Sequence, residues 1–204
     1  MATFGKTEIG SLESSTVANY LVGSKFTCPS EGDVTKLSAY IKAYTTPGNV
    51  KAKIYSDLNG SPKALLAESA EVYVGITFAW VDFLITGLHV YANTPYWLVF
   101  FTGITLAYKQ DVGSPSQGFH QTNAWQTYPT NPSTITYPVL RDYERSIYAT
   151  YTPTGVVTYN LTVQSDPISG VPVTLDGTVI GNTPIVRSVT PGGHNIVVPA
   201  EVVV

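Results

Sequence analysis

The chain has few of the residues on which most chemical functions depend. Its 204 residues include one cysteine and three histidines, and 12% are charged, against about 25% in ordinary soluble domains. A single cysteine excludes an internal disulfide, and no His/Cys cluster offers zinc ligands. The net charge of −3 provides no broad basic surface for nucleic acid. Because no apolar run reaches the roughly 18 residues of a spanning segment, we expect no nucleic-acid partner and no membrane insertion.

Catalytic motifs are also missing from the sequence. There is no P-loop and no Gly-x-Ser-x-Gly nucleophile elbow. Cys28 beside a histidine would be a nucleophile, but an inert, partly buried thiol is the favoured interpretation. Two carboxylates can be found in most chains, so they indicate little. We therefore predict that the protein is not an enzyme. The candidate acids for a glycosidase pair are Glu68, Glu71, Asp82, Asp142 and Glu144.

Alternation of apolar and polar residues dominates what is present. Leu37–Ala43 and Val50–Tyr55 alternate strictly, as strands with one buried face do. The more apolar segments Trp80–Ile85 and Trp97–Tyr108 predict central strands, with both tryptophans in the core. Lys63–Ala70 follows a Ser-Pro pair and is either a helix or a hairpin arm. The fold class predicted is all-β.

The first three quarters of the chain resemble a known group of domains. Residues 1–153 are similar to the carbohydrate-binding-module-like jelly rolls of surface and phage proteins, which implies a jelly-roll β-sandwich. The segments that carry this resemblance are Phe4-Gly5, Ser24-Lys25-Phe26, Ile54–Asp57, Gly60-Ser61-Pro62, Leu65-Leu66-Ala67, Tyr96-Trp97-Leu98 and Tyr148–Tyr151.

The last part of the chain is a series of turn signals between short runs of Val, Ile and Leu. These signals are Ser165-Asp166-Pro167, Gly170-Val171, Asp176-Gly177, Gly181–Pro184 and Pro191–His194. They resemble the PEGA domain, a small β-sandwich repeat of surface and extracellular proteins, and predict a second β domain over residues 156–204. Since the chain ends soon after the last signal, we expect this domain to be incomplete, with Val202, Val203 and Val204 in an assembly strand.

A polar, aromatic-rich segment, Asp111–Val139, is typical of a long ordered loop. Its aromatic rings suit the stacking of sugars, or they cap the core beneath the loop. The outer-face tyrosines Tyr40, Tyr44 and Tyr55 form a second set, suited to a protein interface or to an ordinary strand surface. The predicted ligand-binding residues are Trp125, Tyr128, Phe119 and Tyr137.

The turn at Asp57 and Asn59 is the only candidate for a metal site. The jelly-roll resemblance implies a structural Ca²⁺ between loops, and these two side chains offer oxygen ligands. The alternative is an Asx-stabilised hairpin turn that needs no metal. No other cofactor is predicted.

These patterns favour a structural or adhesive subunit over a catalyst. We expect an extracellular, cell-surface or virion protein that assembles with copies of itself by β-strand complementation. The alternative is a module that binds cell-surface glycans. The start, Met1–Lys6, lacks a secretory signal pattern, so export would require a removed signal or release by lysis.

Overall fold

The computed structural model describes residues 1–122, 128–130, 132–136, 138–155, 159–166, 168–190 and 193–199. None of these residues forms a helix, which confirms the all-β prediction. Ser61–Glu68, where helix and hairpin arm were alternatives, is a strand. No helix among the described residues is long and apolar enough to cross a membrane. The chain divides into two compact units, Met1–Thr154 and Gly155–Val204, and each is described by itself.

The described residues of the first unit form fifteen strands. They are β1 (Ala2–Gly5), β2 (Leu12–Thr16), β3 (Tyr20–Cys28), β4 (Gly32–Ala43), β5 (Gly48–Leu58), β6 (Ser61–Glu68), β7 (Val72–Val74), β8 (Ala79–Leu84), β9 (His89–Val90), β10 (Thr94–Thr102), β11 (Leu106–Val112), β12 (Gly118–Thr122), β13 (Val139–Arg141), β14 (Tyr143–Arg145) and β15 (Ile147–Pro153).

Two antiparallel sheets build this unit. The first sheet has the order β1-β15-β4-β11-β14, with β2 on β11 and with β8 and β9 on β4. The second has the order β13-β12-β3-β10-β5-β6, with β7 on β5. The main core lies between the two sheets and includes Leu37 and Ile147 from the first and Val22 and Leu98 from the second. The first unit is therefore an antiparallel β-sandwich.

Two predictions from the sequence are confirmed: β4 buries one face, and β10 is a central strand. Leu37, Ala39 and Ile41 are buried in the main core, while the intervening Tyr40 is half-buried on the outer face. β10 is central, between β3 and β5. The expectation of a central strand near Trp80 is corrected, because β8 pairs with β4 alone among the described pairings.

A second core covers the outer face of the second sheet. The residues that form it are Leu21, Tyr55, Trp97, Val99, Phe101, Phe119 and Ile135. The segment that follows β12 closes over them, since Tyr55 Oη donates to the Pro132 carbonyl at 3.0 Å and the Ile135 amide donates to the Lys63 carbonyl at 2.8 Å. Burial therefore occurs on both faces of this sheet.

The second unit contains two small sheets. Its strands are β16 (Tyr159–Val163), β17 (Pro172–Leu175), β18 (Thr178–Asn182), β19 (Ile185–Val189) and β20 (Ile196–Val197). β16 pairs with β19, and the other sheet has the order β18-β17-β20. Asp176 and Gly177 have φ of 48° and 81°, as a two-residue hairpin turn between β17 and β18 requires.

Candidate functional site

The predicted aromatic platform falls partly within the core. Phe119 is 0% exposed and packs edge-on against Trp97, with ring centroids 5.3 Å apart. Tyr128 is half-buried, with its ring 5.1 Å from that of Phe101, and burial raises the pKa of its phenol. Trp125 and Tyr137 lie outside the described residues. In this structure Phe119 has no free face for a sugar, which corresponds to the alternative of rings that cap the core beneath the loop.

A different set of rings lies on the outer face of the first sheet. Tyr40 stacks parallel to Phe78, with centroids 5.4 Å apart and an interplanar angle of 3°. Trp80 contacts Tyr40 at 5.4 Å and Tyr148 at 5.0 Å. All four are half-buried, so each keeps exposed surface. We call Tyr40, Phe78, Trp80 and Tyr148 the outer aromatic cluster.

This cluster corrects two expectations from the sequence. Trp80 belongs to it and not to the core, because alternation in β8 directs Phe83 inward and Trp80 to the opposite face. Tyr55, which was expected on an outer surface, is fully buried beneath the loop. Tyr44 is exposed, as expected. Cross-strand pairing of Tyr40 with Trp80 was not apparent from the sequence, because residues 40 and 80 are far apart along the chain.

Charged groups border the outer aromatic cluster. The ammonium groups of Lys42 and Lys109 lie 4.6 and 5.2 Å from the Phe78 ring centroid, within cation–π range. Asp82 accepts hydrogen bonds from Lys36 at 2.6 Å and Ser38 at 2.5 Å. Partial burial opposes its ionisation, but these hydrogen bonds outweigh that effect and hold the Asp82 pKa below its ordinary value. This face therefore combines flat apolar rings with hydrogen-bonding groups.

At the turn predicted to bind calcium, both oxygens of the Asp57 carboxylate accept hydrogen bonds from the protein. One carboxylate oxygen of Asp57 accepts from the Gly60 amide at 2.9 Å, and the other accepts from Trp97 Nε1 at 2.8 Å. Asn59 and Gly60 have φ of 53° and 83°, which suits an Asn-Gly hairpin turn. Within the described residues, no group of three or more His, Cys, Asp or Glu is placed to hold a metal ion. The Asx-stabilised alternative accounts for this geometry.

The cysteine and two of the histidines have structural surroundings. Cys28 is buried and its thiol donates to the Ser30 carbonyl at 3.0 Å, and burial raises its pKa. His89 Nδ1 lies 2.8 Å from Asp33. His194 Nδ1 lies 2.7 Å from Asp176. In the described structure each of these side chains has a different partner, and none of the hydrogen bonds joins Cys28 to a histidine.

The second unit has very little buried apolar surface. Among its described residues, only Val171, Val173 and Thr183 are buried. Large apolar side chains are instead exposed along its strands and on the residue after β20: Tyr159, Val179, Val186, Ile196, Val197 and Val198. The predicted assembly residues Val202, Val203 and Val204 lie outside the described residues.

Comparison with known protein families gives a match in the second unit. Residues 158–202 match the PEGA domain, which supports the PEGA-like part of the sequence prediction. No curated protein matches the chain. The resemblance of the first unit to carbohydrate-binding jelly rolls remains a prediction.

Proposed function

We propose that the protein is a non-enzymatic structural or adhesive subunit of an extracellular or virion surface appendage, and that it assembles with copies of itself through the PEGA-like unit. The observation that carries this proposal is the mismatch between buried and exposed apolar residues there. Val171 and Val173 are the buried apolar residues among those described, while six large apolar side chains are exposed.

Open strand edges provide the means of assembly. Among the described pairings, β18 and β20 each pair with β17 alone, so each has one edge without a partner strand. An unprotected edge accepts a strand from another chain, whose main-chain hydrogen bonds supply affinity and whose alternate side chains set the register. When the contact joins two different surfaces, repetition builds a filament.

The composition of these strands supports pairing with a partner. Natural edge strands commonly carry charged residues, above all lysine, that prevent association. In the five described strands of the second unit, Arg187 is the single charged residue. A unit of about 50 residues also buries a small fraction of its surface and gains stability from association. A partner strand would cover the apolar residues and provide this stability.

A charge on the β18 edge tests the proposal. Val179 is 73% exposed, and Val179→Lys introduces the type of residue that blocks edge pairing. We expect polymers of the full-length protein in sedimentation and negative-stain electron microscopy, and their loss in this variant. Val112→Lys is the matched control, because Val112 is also 73% exposed but lies in the first unit, and it should leave assembly unchanged.

Other outcomes would contradict assembly through this edge. A wild-type protein that stays monomeric at high concentration would refute self-assembly, and polymers of Val179→Lys equal to wild type would exclude the β18 edge. Loss of polymers in both lysine variants would point to a general charge effect. The sequence also predicts that deletion of residues 201–204, outside the described part, abolishes polymers while the first unit stays folded.

The outer aromatic cluster favours a second candidate, glycan binding by the first unit. Sugar rings stack on exposed aromatic faces, and such stacking contributes about 1–3 kcal/mol per ring by analogy with other aromatic platforms. Trp80→Ala should then weaken binding, measured by titration calorimetry with glycans selected on an array. Tyr73→Ala is the control, since Tyr73 is 69% exposed and belongs to neither hydrophobic cluster. If Trp125→Ala alone weakens binding, the loop platform is the site.

A further inference from the structure

A cleft of about 330 Å³ opens between the two sheets of the first unit, and none of its described lining residues belongs to the outer aromatic cluster. We call it the inter-sheet cleft. Thr16 of β2 and Tyr108 of β11 line it from the first sheet, and Tyr20 and Val22 of β3 and His120 of β12 line it from the second. This volume lies at the lower end of the range for small-molecule sites, so it suits a ligand of about one sugar residue.

Polar groups converge in the inter-sheet cleft. Thr16, Tyr20 and Tyr108 contribute hydroxyls, and the rings of Tyr20 and His120 lie 6.3 Å apart. Within the described part of the chain, the Thr16 hydroxyl is buried without a hydrogen-bond partner. A buried polar group without a partner is costly, and a ligand hydroxyl in the cleft would satisfy it.

A buried arginine lies near the cleft, since the Arg145 guanidinium is beside Gly118 of β12, two residues from His120. None of the described residues that line the cleft is an Asp or a Glu. Arg145 is 2% exposed. Its guanidinium donates to the carbonyls of Gly23 at 2.9 Å and Tyr143 at 3.4 Å and also bonds to Tyr108, and none of these partners in the described structure is a carboxylate. A buried charge is stabilised when an opposite charge lies near it.

The nearby arginines affect the pKa of His120. Burial lowers the pKa of its imidazole, and the nearby Arg141 and Arg145 lower it further. The charged or titratable groups that face it are Tyr20 on β3, Tyr108 on β11, Arg141 on β13 and Arg145 on β14. Histidine is the side-chain type that ordinarily changes charge closest to neutral pH, so His120 is the group that a pH titration of the cleft reports.

We propose that the inter-sheet cleft binds one acidic sugar residue, with the sugar carboxylate beside His120 and the sugar hydroxyls on Thr16, Tyr20 and Tyr108. A carboxylate would meet the positive charge, and hydroxyls would meet the unpartnered Thr16 oxygen. A ring of this size has apolar faces for Val22 and the tyrosines. The proposal depends on the first unit alone, and assembly through the second unit can fail without affecting it.

Calorimetric titration of the full-length protein with glucuronate, glucose and sulfate tests the proposal. We expect glucuronate to bind at least about tenfold more tightly than glucose or sulfate, because a charge-assisted hydrogen bond contributes about 1.5–3 kcal/mol and 1.4 kcal/mol is tenfold. His120→Gln should weaken glucuronate binding by a similar factor. His89→Gln, a histidine change outside the cleft, should have no effect.

The pH profile distinguishes this role of His120 from a purely structural one. Glucuronate affinity should rise as the pH falls through the lowered pKa of His120, because the imidazole then gains its proton, and the profile should be flat in His120→Gln. If that variant does not fold, the imidazole shifts of wild-type His120 in NMR replace it, and bound glucuronate should raise its pKa. No detectable binding, equal binding of glucose, equal binding of sulfate or an unmoved His120 pKa would each overturn the proposal.

Discussion

Replacing Phe119 by alanine tests whether this residue supports the core or contacts a ligand. Its side chain is 0% exposed and meets Trp97 edge-on at 5.3 Å and 87°. Truncation loses apolar burial and leaves a cavity beneath the covering segment, which for Phe→Ala in a core costs about 3–5 kcal/mol. The lost ring pair accounts for about 0.5–1.5 kcal/mol of this. We expect the free energy of unfolding of the first unit to fall by that total.

Urea unfolding followed by tryptophan fluorescence measures this change. The three tryptophans, Trp80, Trp97 and Trp125, all belong to the first unit, so the signal does not include the second unit. Tyr73→Ala is the control, because Tyr73 is 69% exposed and surface changes stay within about 0.5 kcal/mol. An unchanged slope with a shifted midpoint would assign the effect to stability.

The reasoning fails if Phe119→Ala costs less than about 1 kcal/mol, the centre of the distribution for ordinary substitutions. The residue would then not be a core residue, and the covering segment would not close over it. If the same variant also weakened glycan binding without loss of stability, the loop platform predicted from the sequence would be restored.

Substitutions at two positions of the first unit and one titration in the second test local features of the fold. Gly118→Ala should lower the unfolding midpoint of the first unit, because an added Cβ would overlap a buried guanidinium and a backbone carbonyl, and overpacking costs about 1–3 kcal/mol. Asn59→Ala should destabilise the hairpin turn, since Asn59 has φ of 53° and alanine disfavours that region by about 1–2 kcal/mol. Asn59→Gly should not destabilise it. A loss of stability that depends on added calcium would instead indicate a bound ion. In the second unit, hydrogen bonds to the Thr190 carbonyl and to Asp176 raise the pKa of His194. The stability that protonated His194 contributes is therefore fully present below the pKa of the unfolded state, and it is lost as the pH rises through the pKa of the folded state. NMR titration of His194 measures this, and an unshifted midpoint would contradict the pairing.

Alternation in the sequence predicted which residues share a strand face but not which faces are covered. Val50, Ala52 and Ile54 point into the main core, as β5 alternation requires. Lys53 and Tyr55 occupy the opposite face, as expected, yet both are fully buried. The covering segment follows β12, far along the chain. One interpretation of its aromatic rings was that they cap the core, but the sequence did not indicate which sheet face the segment covers.

The tryptophans show the same limit. Trp97 was predicted in the core and is buried, because β10 lies between two strands and its outer face is covered. Trp80 also occupies an apolar segment but lies on the outer face of β8, where it contacts Tyr40 and Tyr148. Both segments are apolar, so the tertiary arrangement decides which tryptophan is buried.

Turn chemistry was the most local signal and the most predictable. An Asn-Gly pair between two alternating segments favours a two-residue hairpin, and Asn59-Gly60 forms one between β5 and β6. The hydrogen bond from Trp97 Nε1 to Asp57 joins residues forty positions apart, and no sequence pattern indicates it. A carboxylate with both oxygens in use is a poor choice for a metal ligand, which the sequence could not show.

The two units differ in how far their apolar strand residues are covered, and we expect partners to bind where these residues are exposed. In the first unit the chain covers the outer face of the second sheet with its own segment, through backbone hydrogen bonds such as Ile135 to Lys63. In the second unit, the described residues leave Val179, Val186 and Val197 exposed on strands with free edges. Exposed apolar strands with so little charge favour association. If the chain covered the β18 edge itself, no partner strand would pair there. Val179→Lys would then leave the oligomeric state unchanged, and this result would refute assembly through that edge.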